Sequence, residues 1–111
     1  MFLRNRSNRT NSEQKDEALK PLVVRLGANE CMNKVNAILL QYQFEVVTPR
    51  LDYHETYAKL GYFEFTVSFI EDFGKTNISV LCFSEKKPFG IKKNLKSLML
   101  FLREKLEGYL I

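Results

Sequence analysis

Between Tyr62 and Ile70 apolar and polar side chains alternate without a break: Phe63, Phe65, Val67 and Phe69 share one parity, and Glu64, Thr66 and Ser68 the other. A period of two describes an extended chain with one buried face. Glu71-Asp72-Phe73-Gly74-Lys75-Thr76-Asn77 then reads as a turn in which Gly74 supplies a positive φ, and Ile78 to Phe83 as the returning antiparallel strand. Four inward apolar side chains on one strand need a cover. From Ile91 onward Leu95, Leu98, Met99, Leu102 and Leu106 fall at helical spacing, with Lys, Arg and Glu on the opposite side, so a C-terminal amphipathic helix provides it.

The remaining elements fit around that pair. Leu22-Val23-Val24-Arg25-Leu26 has strand composition and ends at Gly27. Asn29 then reads as an N-cap, and Met32, Val35, Ile38, Leu39 and Tyr42 form the stripe of a helix over residues 30–43. Phe44 to Thr48 predicts a short strand closed by Pro49, which has no N–H to give to a ladder. Leu51 to Lys59 reads as an edge strand or a loop, broken at Gly61. The order β-α-β-(β)-β-β-α predicts an α+β domain: a small antiparallel sheet covered on one face by two amphipathic helices. At 111 residues, with 45% hydrophobic and 13% aromatic side chains, the chain holds one core. Residues 1–18 are polar and rich in Asn, Ser and Arg, and read as a flexible basic tail or linker that can be removed without loss of fold, ahead of a single domain over 19–111.

Several chemistries find no support. His54 is the only histidine, next to Asp52 and Glu55, and no serine lies in a nucleophile elbow. Asp52/Glu55 and Glu71/Asp72 are carboxylates of polar turns. Asp72-Phe73-Gly74 spells the magnesium motif of protein kinases without the rest of the kinase set, and glycines 27, 61, 74, 90 and 108 are too scattered for a phosphate loop. Cys31 and Cys82 stand apart among apolar neighbours and read as buried free thiols of a reducing compartment. Asn5, Asn8 and Asn77 begin glycosylation sequons, but no signal peptide is visible after Met1, and no apolar run is long enough for a membrane span. No catalytic residue, metal, cofactor or small-molecule substrate is expected.

The charge distribution carries more. Seventeen Lys and Arg against thirteen Asp and Glu give a net charge of +4. Lys86, Lys87, Lys92, Lys93 and Lys96 lie within eleven residues that contain no acid. Three of them fall at the start of the C-terminal helix, where the macrodipole already makes a positive end, so lysine there is locally unfavourable unless an anion occupies the spot. Arg25, Arg4, Arg6 and Arg9 are expected to reinforce this surface. Phe89, between the lysine pairs, either packs into the core or enters a membrane interface. An anionic, phosphatidylserine-type membrane surface is the expected partner. Nucleic acid ranks below it, because the aromatics alternate as buried residues do and no nucleic-acid-binding motif is present.

Helix Asn29 to Tyr42 followed by Phe44-Glu45-Val46, the hairpin Phe63 to Phe83, and the stretch Val80 to Gly90 leading into the last helix resemble the kinase-associated domain at the C-terminal end of MARK-type kinases and fungal septin-associated kinases. The stretch Val80-Leu81-Cys82-Phe83-Ser84-Glu85-Lys86-Lys87-Pro88-Phe89-Gly90 is similar to that family's V-x-F-x-R-x-x-G pattern, with Lys86 near the place of Arg and extra residues before Gly90. The resemblance implies acidic-phospholipid binding through basic side chains, a cytoplasmic and peripheral location at the plasma membrane, and a kinase domain of the same polypeptide as a further, intramolecular partner. RWD-like protein-interaction domains are also α+β with flanking helices, and imply a helix face that binds a protein partner.

Overall fold

A computed structural model describes residues 6–111. Six strands, β1 (Ser7–Arg9), β2 (Leu22–Val24), β3 (Val46–Arg50), β4 (Glu55–Leu60), β5 (Phe63–Asp72) and β6 (Lys75–Phe83), form one antiparallel sheet in the order β1-β6-β5-β4-β3, with β2 also on β6. Two helices, α1 (Ala28–Leu40) and α2 (Ile91–Lys105), lie against one face, so the domain is α+β as its sequence predicts.

The two periodicities meet in the core. Phe65, Val67 and Phe69 of β5 and Ile78, Val80 and Cys82 of β6 are buried, and so are Leu95, Leu98, Met99 and Leu102 of α2 and Leu106 directly after it. Cys31, Met32, Val35, Ile38 and Leu39 of α1 complete the same cluster. Packed side chains of this kind lose both transfer energy and cavity contacts when truncated, so Leu98→Ala is expected to lower the unfolding free energy by about 2–5 kcal/mol in denaturant titrations.

Several boundaries differ from those read in the sequence, each for a tertiary reason. The β5–β6 ladder continues to the Asp72–Lys75 pair, so the expected seven-residue turn shrinks to Phe73 and Gly74, both at positive φ as a type I′ turn requires. α1 begins at Ala28 rather than after Asn29, because Glu71, remote in sequence, accepts the Ala28 backbone N–H through Oε1 at 2.6 Å. The helix ends at Leu40, and Tyr42 instead packs its ring at a tilt against Phe44 and Phe101, with ring centroids 5.1 and 4.8 Å away. β3 includes Pro49, which the edge of a sheet tolerates because no further strand needs its missing N–H. The ambiguous stretch after Leu51 is a short turn followed by β4, which lies inside the sheet between β3 and β5.

The largest departure concerns the segment read as a tail. Ser7–Arg9 pair with Phe83–Leu81 of β6, and Ser84 N–H donates to the Arg6 carbonyl at 2.9 Å. Buried Thr10 closes this edge twice: its N–H donates to the Val80 carbonyl at 2.8 Å and its Oγ1 accepts the Val80 N–H at 2.9 Å. Leu19 is fully buried. The basic side chains of this segment hide its structural role, since its bonds to the sheet come from backbone and one hydroxyl. The domain therefore starts well before residue 19. Deleting residues 1–18 is expected to lower Tm and to remove hydrogen-exchange protection at the Val80 and Ser84 amides, whereas a dispensable tail would leave both unchanged.

Candidate lysine-rich binding site

The site is built where β6 ends. Ser84 is fully buried; its N–H is tied to Arg6 and its Oγ accepts the Lys87 backbone N–H at 3.0 Å. A short 3-10 turn, Pro88–Gly90, follows and leads into α2. Gly90 N–H donates to the Lys87 carbonyl at 3.1 Å, and Asn94 Nδ2 donates to the Gly90 carbonyl at 2.8 Å. A Cβ on Gly90 would stand 2.6 Å from Cζ of Phe63, so this turn rests directly on the core and needs glycine at the contact. The lysines on it are held on a pinned scaffold.

Lys86, Lys87, Lys92 and Lys93 are exposed around Phe89, itself 79% exposed. Lys87 Nζ lies 5.6 Å from the ring centroid of Tyr62, a cation–π distance. Lys86 shares a shallow cavity with Lys59, Tyr62 and Glu64, and Lys92 another with Ser7, Asn8 and Phe89. The first turn of α2 carries no acidic residue and Gly90 caps it with no side chain, so the positive helix end and two ammonium groups coincide.

The remaining expected residues divide. Arg6 is exposed, and its backbone carbonyl accepts the Ser84 N–H where the lysine turn begins. Lys96 already has a partner within the chain: its Nζ pairs with Asp16 Oδ2 at 2.8 Å. The sequence run contains no acid, but the fold brings one from the N-terminal segment. Arg9 lies on the open face of the sheet beside Glu55, Thr66 and Ser79, away from the α2 end. Arg25 follows β2, which pairs with Thr76–Ile78 at the start of β6, and its N–H donates to the Tyr109 carbonyl beyond α2. It therefore sits roughly 25 Å from the lysines, the length of β6 at about 3.4 Å per residue, and is no part of their site. Arg4 lies outside the described residues. Sequence reading missed Lys59 and Tyr62, which only the β4–β5 connection places beside Lys86.

Other chemistry is sparse. Among the described residues no three His, Cys, Asp or Glu side chains group closely enough to hold a metal ion. Burial pushes the thiols of Cys31 and Cys82 up to about 12. Among the described residues no helix is long and apolar enough to cross a membrane. No family model, curated protein or solved structure matches the chain.

Asp16 gives a readout of the Lys96 contact. The hydrogen bond from Lys96, then that from the Ala18 N–H, holds its carboxyl below the ordinary value of 3.8. Its folded pKa is depressed, so the contribution to stability is present above that ordinary value and fades as pH falls through the lower folded one. Asp16→Asn keeps a side-chain oxygen for Ala18 but removes the charge, and is expected to flatten this acid limb in thermal melts between about pH 2 and 4.

Proposed function

We propose that this domain is a non-catalytic module that docks on anionic phospholipid surfaces, of phosphatidylserine type, through Lys86, Lys87, Lys92 and Lys93, with Arg6 beside them and Phe89 entering the interface. One observation carries the reading. Among the described residues, the two ion pairs are Lys20–Glu17 and Lys96–Asp16, and these four lysines are in neither, although they crowd one pinned turn and one helix end. Such an arrangement is unfavourable to the isolated fold and favourable once negative charge is supplied from outside. The sequence resemblance to kinase-associated domains is what extends the reading to recruitment of an attached kinase to the cytoplasmic side of the plasma membrane.

The magnitudes describe a weak contact. At about 1 kcal/mol per lysine near an anionic leaflet, four lysines supply about 4 kcal/mol. Burying the Phe89 ring adds roughly 2 kcal/mol. Together they correspond to a dissociation constant on the order of tens of micromolar, so stable recruitment relies on a second contact in the same assembly.

The test is vesicle co-sedimentation with and without phosphatidylserine. The double substitution Lys92→Ser and Lys93→Ser is expected to weaken binding about 30-fold, and raising salt well above physiological strength to abolish most of it, since the Debye length shrinks to about 3 Å at 1 M. Equal binding to neutral vesicles, or an unchanged affinity in the double variant, would overturn the proposal. Salt-sensitive binding to RNA with none to vesicles would reassign the same lysines to nucleic acid.

A further inference from the structure

The β5–β6 hairpin turns on Phe73 and Gly74, at φ 52° and 78°. Type I′ turns favour Asn, Asp or Gly at the first of these positions, because a Cβ in the left-handed region crowds the backbone. Phe73 gains nothing from packing in return, being 97% exposed. Ile70, on the same hairpin, is 63% exposed. Strain and exposure together point to a role outside this chain's own core.

A receptive surface lies at the other end of the molecule. A concavity of about 310 Å³ opens between the end of α1 and the middle of α2, lined by Gln41, Tyr42, Gln43, Leu60 and Phe101. Two of its walls are the rings of Tyr42 and Phe101, and Leu40 and Leu100, next to lining residues in the chain, are exposed. Gln43, at φ 66°, is a second strained non-glycine residue and stands on its lip. Lys105 Nζ is 5.5 Å from the Phe101 ring centroid, and Glu45, whose carboxylate accepts the Gly61 N–H, lies beside Leu60. This rim thus carries one cation and one anion, and the hairpin tip offers the facing pair Asp72 and Lys75.

Leu60 pairs with Phe63 at the start of β5, while Phe73 follows its end, roughly 30 Å further on at about 3.4 Å per residue. No chain can place its own ring in its own concavity. We infer that Phe73 of one copy seats between Tyr42, Leu60 and Phe101 of a second copy, in a head-to-tail contact. Ring and concavity are different surfaces, so the contact either closes, as a reciprocal pair or a larger ring, or extends into short rows that leave one of each open at the ends. An interface centred on one phenyl group is small beside the roughly 1,600 Å² of a stable complex, so association sets in at high local concentration. The inference is independent of lipid binding.

Sedimentation velocity of the whole chain from about 10 μM to about 1 mM, the range of weak contacts, tests it. The wild-type mass is expected to rise with concentration above that of a monomer. Phe73→Asn, which suits the turn, is expected to stay monomeric and to melt a few degrees higher. Leu60→Glu blocks the concavity and is expected to stay monomeric as well; Gln41→Trp, at an exposed position, fills it from the rim should Leu60→Glu unfold. Mixing Phe73→Asn with either blocked variant is expected to restore one contact and give a dimer that grows no further. A wild-type chain that is monomeric at the highest concentration overturns the inference, whatever lipid vesicle or other protein Phe73 touches. So does self-association of Phe73→Asn, or of both blocked variants, at the wild-type level.

Discussion

β6 is hydrogen-bonded along both edges, to β5 throughout and to β1 and β2 on the other side, and its inner residues Ile78, Val80 and Cys82 are sealed beneath the helices. Everything else takes its position from this strand. β1 and β2 have three residues each and could not persist alone, yet β6 supplies both with a partner. Thr76 holds the chain entering α1 through a 2.6 Å hydrogen bond from its hydroxyl to the Leu26 carbonyl. At its other end β6 hands over to the Ser84 turn, and the lysines stand where that turn leaves the sheet. Loosening β6 would release the N-terminal segment, the start of α1 and the basic surface together.

The charges of α2 show how such a surface persists in a stable fold. Arg103 and Lys105 in the last turn complement the negative helix end, while Lys92 and Lys93 oppose the positive one. Asp16 softens the conflict, bonded to Lys96 and close enough to Lys92 for that charge also to hold its carboxyl down. All these groups are solvated, so each interaction is individually small. What remains is a local excess of positive charge that the tertiary packing of Leu95, Leu98 and Leu102 easily outweighs.

Features legible in the sequence are those written in side-chain periodicity. The alternation Phe63 to Phe69 and the stripe Leu95 to Leu106 each identify an element, its buried face and the partner it must find. Features that escaped are written in the backbone or in long-range contacts. Ser7-Asn8-Arg9 has no apolar signal, because β1 is held by peptide groups and by Thr10. Gly27 serves as N-cap in place of Asn29 because a carboxylate from β5 satisfies the helix end. The lysine run was visible as a run, but its division was not. Only the fold shows that Asp16 engages Lys96, that Arg25 belongs to the far end of β6, and that Lys59 and Tyr62 stand beside Lys86.

The pairing of Ser7 with Phe83 also bears on how the domain forms on a ribosome. A chain emerging from its N-terminus exposes β1 and β2 long before β6 exists. At about 5–20 residues per second, the interval is about 4–15 s, far longer than helix or hairpin formation needs. During it, Leu19, Leu22 and Val24 have no core to enter. The polar composition of Ser7 to Lys15 then has a second use: it keeps the waiting segment soluble, and it leaves the joining of β1 as a late step that follows closure of the β5–β6 hairpin.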